Sequence, residues 1–251
     1  MRKQLETKVQ ERTINLTKSL EREKELNGMK TRLVAFASHE FRTPLTTILS
    51  SSNLIEKYNK PEQGEQRLKH LNLISSSVKN LTEILNDFLT YGELENGISE
   101  IRNTSFNLPE FVNSVLEEMK AIINEKSQLI TYNHFGESML DQSDKILKNT
   151  LINLLSNASK YSPCDAEIQL SSRVNNGRVS ITVKDRGIGI PEMDQKKIFT
   201  QFFRASNTEG IQGTGLGLSI VKKYAELING QIEFISKPEE GTTFTINFPQ
   251  K

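Results

Sequence analysis

The sequence is poor in the features that mark several large protein classes. It has one cysteine, Cys164, among 251 residues, which excludes an internal disulfide framework and suits a reducing compartment. No apolar run approaches the roughly 20 residues needed to cross a bilayer. Lysine and arginine total 32 against 31 for aspartate and glutamate, so the chain lacks a net charge that would attract nucleic acid or an acidic membrane surface. We therefore expect a cytoplasmic protein that does not bind nucleic acid.

Two nucleotide-binding signatures are also missing. Neither G-x-G-x-x-G nor G-x-x-x-x-G-K-[ST] occurs, which disfavours a dinucleotide-binding fold and a P-loop. Hydrophobic residues make up 35% of the chain, so it can nevertheless bury a sizeable core. The sequence opens directly in a helical pattern without a signal-peptide pattern, as an excised portion of a longer protein would. We expect an upstream region, and any membrane tether would lie there.

The first part of the chain is predicted to be helical. Residues 1–28 are rich in charge and space their leucines by threes, fours and multiples, which is typical of a coiled coil, although the imperfect heptad leaves a solvated amphipathic helix as the alternative. Two further amphipathic helices are separated by the turn-forming sequence KYNKPEQGEQ at 57–66. The apolar stripe of this antiparallel hairpin exceeds what two helices can bury. We therefore predict a homodimer that forms a four-helix bundle.

The pattern changes after a linker predicted at 98–108. Helical stretches near 109–126, 142–161 and 215–229 alternate with segments of period 2, which indicate strands. The predicted strands read LITYNHF, AEIQLSSRV, RVSITVKD, QIEFIS and TTFTINF, and NNG joins the second to the third as a hairpin. We therefore predict an α/β domain in which helices cover one face of a mixed sheet.

One helical stretch in this second part carries an unusual polar face. In LINLLSNASKYSP, the spacing of Asn153, Asn157 and Lys160 places all three on one side of a helix. Asparagine is unfavourable in helix interiors because its side chain competes for backbone hydrogen bonds. Amide oxygens that bind a hard cation such as Mg²⁺ would explain the pair, and an exposed polar face is the alternative.

Two glycine-rich stretches are candidates for ligand contact. VKDRGIGIP follows a predicted strand, and GTGLGLSI runs into a helix N-terminus, whose backbone N–H groups and dipole suit phosphate oxygens. Either stretch could be a simple turn. Between them, the phenylalanines of QKKIFTQFFRASNTEGIQ could pin a mobile segment, or could anchor an ordinary loop on the core.

Taken in order, five stretches resemble a known family. SHEFRTPL, NLLSNASKYSP, DRGIGI, FTQFFRA and GTGLGLSI resemble the H, N, G1, F and G2 boxes of bacterial two-component sensor histidine kinases, over about residue 29 to the end. The resemblance implies a coiled-coil signalling helix at 1–28, a dimerisation and histidine phosphotransfer domain at 29–97, the linker at 98–108, and a catalytic ATP-binding domain of Bergerat type at 109–251.

The resemblance also implies catalytic roles. His39 is the implied phosphoacceptor, and the adjacent Glu40 can take the proton of its other ring nitrogen as the phosphoryl group arrives. Thr43 matches the family's phosphatase pattern, one helical turn beyond His39. Arg204 is implied to meet the γ-phosphate during transfer. The other two histidines, His70 and His134, have no such neighbours and are interpreted as ordinary ones.

ATP and Mg²⁺ are the implied cofactors. Asn157 is the implied Mg²⁺ ligand with Asn153 beside it, Lys160 contacts phosphate, Tyr161 is a wall near the base and sugar, and Asp185 accepts a hydrogen bond from the adenine amino group. The remaining implied contacts are Gly187 and Gly189 near the base, Gly213, Gly215, Leu216 and Gly217 under the phosphates, and Thr243 near the adenine.

The resemblance implies an ATP-dependent protein-histidine kinase. It would phosphorylate His39, pass the phosphoryl group to an aspartate in the receiver domain of a response regulator, and also dephosphorylate that regulator. Two other classes remain open. A signalling scaffold would bind nucleotide only to set its conformation, and an ATPase of the same sandwich fold would lack the phosphoacceptor helix.

Overall fold

A computed structural model describes residues 40–95 and 102–250, together with residues 10, 12, 13, 16, 17, 20, 37 and 38. The phosphoacceptor predicted at His39, nearly all of the coiled coil predicted at 1–28 and the first residues of the predicted linker lie outside this range. The chain forms two compact units, Met1–Glu83 and Ile84–Lys251.

The first unit contains a helical hairpin. Helix α1 occupies residues 40–57, a 3₁₀ turn covers Pro61–Gln63, and helix α2 begins at Gly64 and runs to Glu95 in the second unit. The side chain of Arg67 donates to the carbonyl oxygens of Tyr58 (2.8 Å) and Lys60 (3.1 Å) and so closes the connection. The predicted antiparallel hairpin is confirmed.

His70 has a structural role in this hairpin. Its ring stacks on that of Tyr58 with centroids 5.6 Å apart, and its Nδ1 lies 3.3 Å from Ser51 Oγ on the facing helix. Several large apolar side chains nevertheless remain exposed on the two helices of this unit; they are Leu45, Leu49, Leu68, Leu71, Leu73 and Val78. A single chain therefore leaves much of the predicted apolar stripe uncovered.

The second unit is built on a five-stranded sheet. Its strands are β2 (Leu129–Gly136), β4 (Glu167–Asn175), β5 (Arg178–Lys184), β6 (Gln231–Lys237) and β7 (Gly241–Pro249). The strand order is β2-β4-β5-β7-β6, with β2 and β4 parallel and the other pairs antiparallel. All five predicted strands and the mixed sheet are confirmed. The hairpin between β4 and β5 turns through Asn176 and Gly177, both at positive φ, as its NNG sequence predicts.

Three longer helices pack on the sheet. They are α3 (Leu108–Glu125), α4 (Asp144–Tyr161) and α6 (Gly217–Leu227), and a short helix, α5, covers Glu192–Gln195. Asn107 caps α3 and Ser143 caps α4, each accepting a backbone N–H three residues on. The core between helices and sheet contains fully buried leucines and isoleucines: Leu108, Leu140, Leu147, Leu151, Leu154, Leu155, Ile168, Leu170, Leu216, Ile220 and Ile228.

Two short strands were not predicted. β1 (Thr104–Asn107) and β3 (Met139–Gln142) form a separate antiparallel pair in which Thr104 faces Gln142. β1 lies inside the stretch predicted as a linker. At four residues each, the two strands are too short for the period-2 pattern that identified the others.

Candidate functional site

The polar face of α4 is held at the surface of the core by the leucines behind it. Leu151, Leu154 and Leu155 are fully buried, while Asn153 and Asn157 are half-buried on the other side of the helix. Asn153 Nδ2 donates to the carbonyl oxygen one turn earlier, at Asn149, over 2.9 Å. The predicted face is therefore neither core nor fully exposed surface.

The GTGLGLSI loop lies directly against this face. A Cβ atom at Gly217 would lie 2.9 Å from Asn153 Oδ1 and 3.9 Å from Asn157 Nδ2, and one at Gly213 would lie 2.6 Å from Lys160 Nζ. The absence of side chains at these glycines leaves space beside the polar groups. The N and G2 boxes, some 60 residues apart in sequence, thus form one site.

The N-terminus of α6 opens into the same place. Unlike α3 and α4, α6 has no side-chain hydrogen bond capping its first turn, and its N-cap residue is Leu216. The first N–H groups of a helix have no partner within the helix and attract anions. The site therefore combines an uncapped helix start with the ammonium group of Lys160.

Asp185 forms the other end of the site. Its Oδ1 accepts the backbone N–H of Gly187 (2.8 Å) and that of Thr242 (3.1 Å), and the residue is 7% exposed. Burial raises the pKa of this carboxyl above its ordinary value, and the two backbone donors oppose the shift. Among the described residues nothing donates to its Oδ2, which is left as an acceptor for a ligand.

The structure brings Thr242, and not Thr243, to Asp185. Thr242 is buried and its hydroxyl lies 2.8 Å from Ser236 Oγ, whereas Thr243 is the next residue along β7. Successive side chains of a strand point to opposite faces of the sheet, so Thr243 faces away from the helices. Thr242 is therefore the threonine beside Asp185, and the contact of Thr243 with the adenine stays a prediction.

The G1 loop is fixed to the end of α4. The N–H of Ile188 donates to the carbonyl oxygen of Tyr161 over 3.2 Å, and a Cβ at Gly187 would lie 2.6 Å from the same oxygen. Gly189 adopts φ +63° and passes close to the backbone of Lys237. Burial raises the pKa of Tyr161, and the positive charge of Arg204 lowers it. Tyr161, at the end of the N-box helix, is thus close to both the G1 loop and the F-box arginine.

Arg204 holds the segment between the F and G2 boxes in a closed turn. Its guanidinium donates to the carbonyl oxygens of Thr208 (2.9 Å) and Ile211. The side chain of Asn207 donates to Gly189 O over 3.0 Å, which ties this segment to the G1 loop. In the arrangement described, the guanidinium that was predicted to meet a phosphate is engaged with backbone carbonyls.

Asp87 and Thr214 were not among the residues predicted for the site. The Thr214 hydroxyl, in the glycine loop, donates to Asp87 Oδ2 over 2.6 Å and accepts the N–H of Leu216 over 3.1 Å. Burial raises the pKa of Asp87, while the hydrogen bond from Thr214 and the charge of Lys160 lower it. A carboxylate of α2 therefore lies next to the loop predicted to underlie the phosphates.

Further contacts accompany this one. Tyr91 OH is hydrogen-bonded to Gln201 Nε2, and Glu95 pairs with Lys223 at 3.0 Å. Asp87, Tyr91 and Glu95 are spaced by four residues and share one face of α2. This spacing of polar residues, visible in the sequence, indicates that α2 has a second contact face besides its leucine stripe.

Glu40 and Thr43, two of the predicted catalytic residues, lie on α1. Glu40 is half-buried and Thr43 is exposed, and the carbonyl oxygen of Thr43 accepts the hydroxyl of Thr47 over 3.1 Å. Glu40 and Thr43 are separated by about one turn of helix. Of the parts of the chain that are described, no helix is both long enough and apolar enough to cross a membrane.

Comparison with known proteins identifies both parts of the chain. Residues 29–97 match the His Kinase A (phospho-acceptor) domain, and residues 142–251 match the family of histidine kinase-, DNA gyrase B- and HSP90-like ATPases. The circadian input-output histidine kinase CikA of Synechococcus elongatus is 31% identical over 98% of this chain. The autoinducer 2 sensor kinase/phosphatase LuxQ of Vibrio cholerae is 34% identical over 88%. The chain spans only 33% and 26% of these relatives.

Solved structures agree with these matches. Histidine kinase ThkA in complex with response regulator protein TrrA is 25% identical, with a TM-score of 0.69 over 88% of this chain and 61% of that one. Full-length ShkA in complex with AMPPNP is 26% identical, with a TM-score of 0.64 over 85% of this chain and 44% of that one. The predicted fold class, a helical hairpin followed by a histidine kinase α/β domain, is confirmed.

Proposed function

Because the chain belongs to the sensor histidine kinases, of which it is the catalytic portion, we propose that it uses ATP to phosphorylate His39 and passes the phosphoryl group to an aspartate of a response regulator. The observation that carries the proposal is the contact between the polar face of α4 and the glycine loop that opens α6. We keep the predicted division into a signalling helix, a phosphotransfer domain, a linker and an ATP-binding domain.

Asp185 is the proposed determinant of adenine recognition. An acceptor oxygen that is buried and already oriented by two backbone donors suits the amino group of adenine, whereas guanine presents a carbonyl oxygen at that position. Tyr161 would flank the base and sugar, and Thr242 lies beside Asp185. Gly187 and Gly189 let the G1 loop pass close to the backbone of Tyr161 and Lys237, where a side chain would collide, and we propose that they also let the chain approach the base.

The triphosphate would lie at the start of α6. Lys160 and the uncapped N–H groups beside Gly217 supply positive charge and donors for phosphate oxygens. The loop beneath the triphosphate would contain Gly213, Gly215 and Leu216. Arg204 would reach the γ-phosphate only after it leaves the carbonyl oxygens of Thr208 and Ile211, so its role requires the segment to rearrange.

The residues present fit a Mg²⁺ ion that arrives with ATP. Among the described residues no cluster of three His, Cys, Asp or Glu could hold a metal by itself. The half-buried side chain of Asn157 lies beside Gly217, at the start of α6 where the triphosphate is proposed to lie. Mg²⁺ commonly takes one or two protein oxygens and completes its shell with phosphate oxygens and water. Asn157 would supply that oxygen, with Asn153 beside it, and the ion would neutralise phosphate charge.

At His39 the proposed transfer is a simple displacement. A ring nitrogen lone pair of neutral His39 bonds to the γ-phosphorus, the bond to the bridging oxygen breaks, and ADP departs. The proton on the other ring nitrogen passes to Glu40, which keeps the product imidazole neutral. Transfer to a carboxylate of a receiver domain then regenerates His39.

We also propose that the chain acts as a homodimer. The exposed leucines of α1 and α2 form an apolar stripe that water disfavours, and pairing with a second copy into a four-helix bundle would cover it. Sedimentation equilibrium of the chain should give twice the chain mass, and a monomer at micromolar concentration would contradict the bundle.

Incubation with γ-labelled ATP tests the kinase proposal. We expect label that stays on the protein, is lost in acid and survives base, as a phosphorus–nitrogen bond behaves. His39→Gln should abolish this label while ATP affinity changes less than about twofold, because the proposed nucleotide contacts all lie in the second unit. Full labelling of the variant would exclude His39 as the acceptor. Binding without label would favour a nucleotide-responsive scaffold, and phosphate release alone would favour a simple ATPase.

Kinase and phosphatase activities should separate by mutation on α1. Thr43 is exposed and follows His39 by four residues in the sequence, so its hydroxyl can position a water for hydrolysis of an aspartyl phosphate. We expect Thr43→Ala to keep labelling near the normal rate and to lose most dephosphorylation of the phosphorylated regulator, on the order of tenfold or more. Glu40→Ala should weaken labelling first. Assays of both activities with the cognate regulator decide, and normal dephosphorylation by Thr43→Ala would remove this residue from the reaction.

A further inference from the structure

The last turn of α4 presents carbonyl oxygens that need partners. A helix leaves its final four C=O groups without intrahelical donors, and α4 ends at Tyr161, between the proposed phosphate contact Lys160 and the G1 loop. The N–H of Ser162 donates to the first of these oxygens, that of Ala158. The remaining three belong to Ser159, Lys160 and Tyr161.

Two of those three oxygens are bound by side chains from another part of the chain. Lys126 Nζ donates to the carbonyl oxygens of Ser159 (2.8 Å), Lys160 (3.1 Å) and Ser162 (3.2 Å). Gln128 Nε2 also donates to Ser159 O over 3.0 Å, and the Ser159 hydroxyl donates back to Gln128 Oε1 over 2.6 Å. We call Lys126 and Gln128 the α4 clamp.

The third carbonyl oxygen, that of Tyr161, is bound by the G1 loop of the proposed nucleotide site. Tyr161 O accepts the N–H of Ile188, which follows Gly187 in the G1 loop. The direction of this carbonyl depends on the path of the last helical turn, and that path is set by the donors on the two preceding carbonyls. The clamp therefore acts at the point where α4 and the G1 loop join.

Two residues beside the clamp have strained backbone conformations. Ser127, between the two clamp residues, has φ 54°, and Asp165, in the turn that follows α4, has φ 59°. Left-handed conformations are uncommon for residues other than glycine, and such strain persists where the surrounding structure requires it. The two turns are joined by a hydrogen bond from Asp165 N to Lys126 O over 3.0 Å. The conformation of Ser127 lets the side chains of Lys126 and Gln128, on either side of it, reach the same helix end.

We propose that Lys126 and Gln128 are positioning residues for nucleotide binding. This inference rests on the proposed ATP site: the clamp orients Lys160 and Tyr161 and, through Tyr161 O, the loop that carries Gly187. A cation at the negative end of the α4 dipole adds to the hydrogen bonds. The clamp does not touch the ligand, so it affects ATP affinity and leaves the rate of phosphoryl transfer from bound ATP unchanged.

Titration calorimetry with Mg–ATP on the full chain, below the unfolding temperature of every variant, measures this effect. We expect Lys126→Met to raise the Kd for ATP about tenfold, while the labelling rate at saturating ATP stays within about twofold. Lys120→Met is the matched control, because among the residues that the structure describes Lys120 pairs only with the exposed Glu117 on α3, and its Kd should stay within twofold of the wild type. In a Lys126→Ala chain, n-propylammonium should restore affinity and its N-trimethyl analogue, which cannot donate, should not.

A second variant covers the case in which Lys126→Met does not fold. Gln128→Glu keeps the shape of the side chain but removes both donors to the carbonyls, and should also raise the Kd, by about fivefold. A folded variant of either kind whose unfolding temperature falls while its Kd stays within twofold would overturn the proposal and leave the clamp as a plain helix cap. Failure of the wild type to bind Mg–ATP would instead remove the proposed function, so the two failures are distinguishable.

Discussion

Asp185→Asn should lose ATP affinity by at least about 100-fold and leave a folded protein that is no less stable than the wild type. The asparagine Oδ1 can accept the same N–H groups of Gly187 and Thr242 that the carboxylate accepts. Its Nδ2 then occupies the place of Oδ2 and points a donor at the amino group of adenine. In the flipped amide, Nδ2 would face the two backbone N–H donors. Neither orientation can therefore accept hydrogen bonds from both the backbone and the adenine amino group.

The stability of this variant should depend on pH with a defined sign. Burial is the main cause of the raised pKa of Asp185, so ionisation is less favourable in the folded than in the unfolded chain. A raised pKa contributes stability below the unfolded pKa, and that contribution is lost as pH rises through the folded pKa. The unfolding temperature of Asp185→Asn relative to the wild type should therefore increase as pH rises from about 4 to 7.

Thermal unfolding across that pH range, with Mg–ATP titration at neutral pH, checks both expectations. Asp141→Asn is a suitable control, because this exposed carboxylate on β3 lies outside the site, and both affinity and stability should stay close to those of the wild type. Retention of ATP affinity by Asp185→Asn within about threefold would show that this carboxylate does not recognise adenine.

Among single Gly→Ala substitutions in the glycine loop, Gly215→Ala should be the most damaging. Gly215 has φ +68°, and a Cβ there would lie 2.8 Å from the carbonyl carbon of Phe202 and 2.8 Å from the carbonyl oxygen of Phe203. Both are backbone atoms, and the carbonyl of Gly215 itself accepts the N–H of Phe202 over 3.1 Å. We expect a loss of about 2–4 kcal/mol of stability and of at least about 30-fold in ATP affinity, because the F-box backbone must move.

Two neighbouring glycines separate the causes of this effect. Gly210 has φ +80° but open space around it, so Gly210→Ala should cost only about 1 kcal/mol from the backbone conformation. Gly213 lacks positive φ, and a Cβ there would meet side-chain atoms only, the end of the long Lys160 side chain at 2.6 Å and the Tyr161 hydroxyl at 3.9 Å, so Gly213→Ala should leave stability nearly unchanged and lower affinity less than about fivefold. Unfolding and ATP titration of the three variants check the order, and equal losses for Gly215→Ala and Gly210→Ala would exclude the backbone collision.

Periodicity predicted the parts of the fold in which burial alternates over many residues. β4 buries every second residue from Ile168 to Val174, and this pattern can be read without knowing the partner strands. β1 and β3 have four residues each and are defined mainly by pairing with one another, from Asn107 with Met139 to Thr104 with Gln142. No local pattern contains that information.

The same limit applies within the site. The motifs named the residues of the N, G1 and G2 boxes, but which of Thr242 and Thr243 faces Asp185 is decided by the register of β7. Asp87 and Lys126 meet their partners across 127 and 33 residues of sequence, respectively. Contacts over such distances follow from the packed fold, so sequence patterns alone could not have found them.

The bond between Thr214 and Asp87 has a thermodynamic consequence for any ligand of the glycine loop. A hydroxyl carries one proton, so Thr214 cannot donate at once to Asp87 and to a phosphate oxygen. If Thr214 donates to a phosphate oxygen of ATP, the hydrogen bond to Asp87 is lost. ATP affinity is then lower by the strength of that bond, about 1.5–3 kcal/mol for a charged acceptor, or on the order of 10- to 100-fold. Because binding linkage is reciprocal, bound ATP would loosen the hold on Asp87 by the same factor. A single shared proton would then make occupancy of the site and the Thr214–Asp87 hydrogen bond weaken one another.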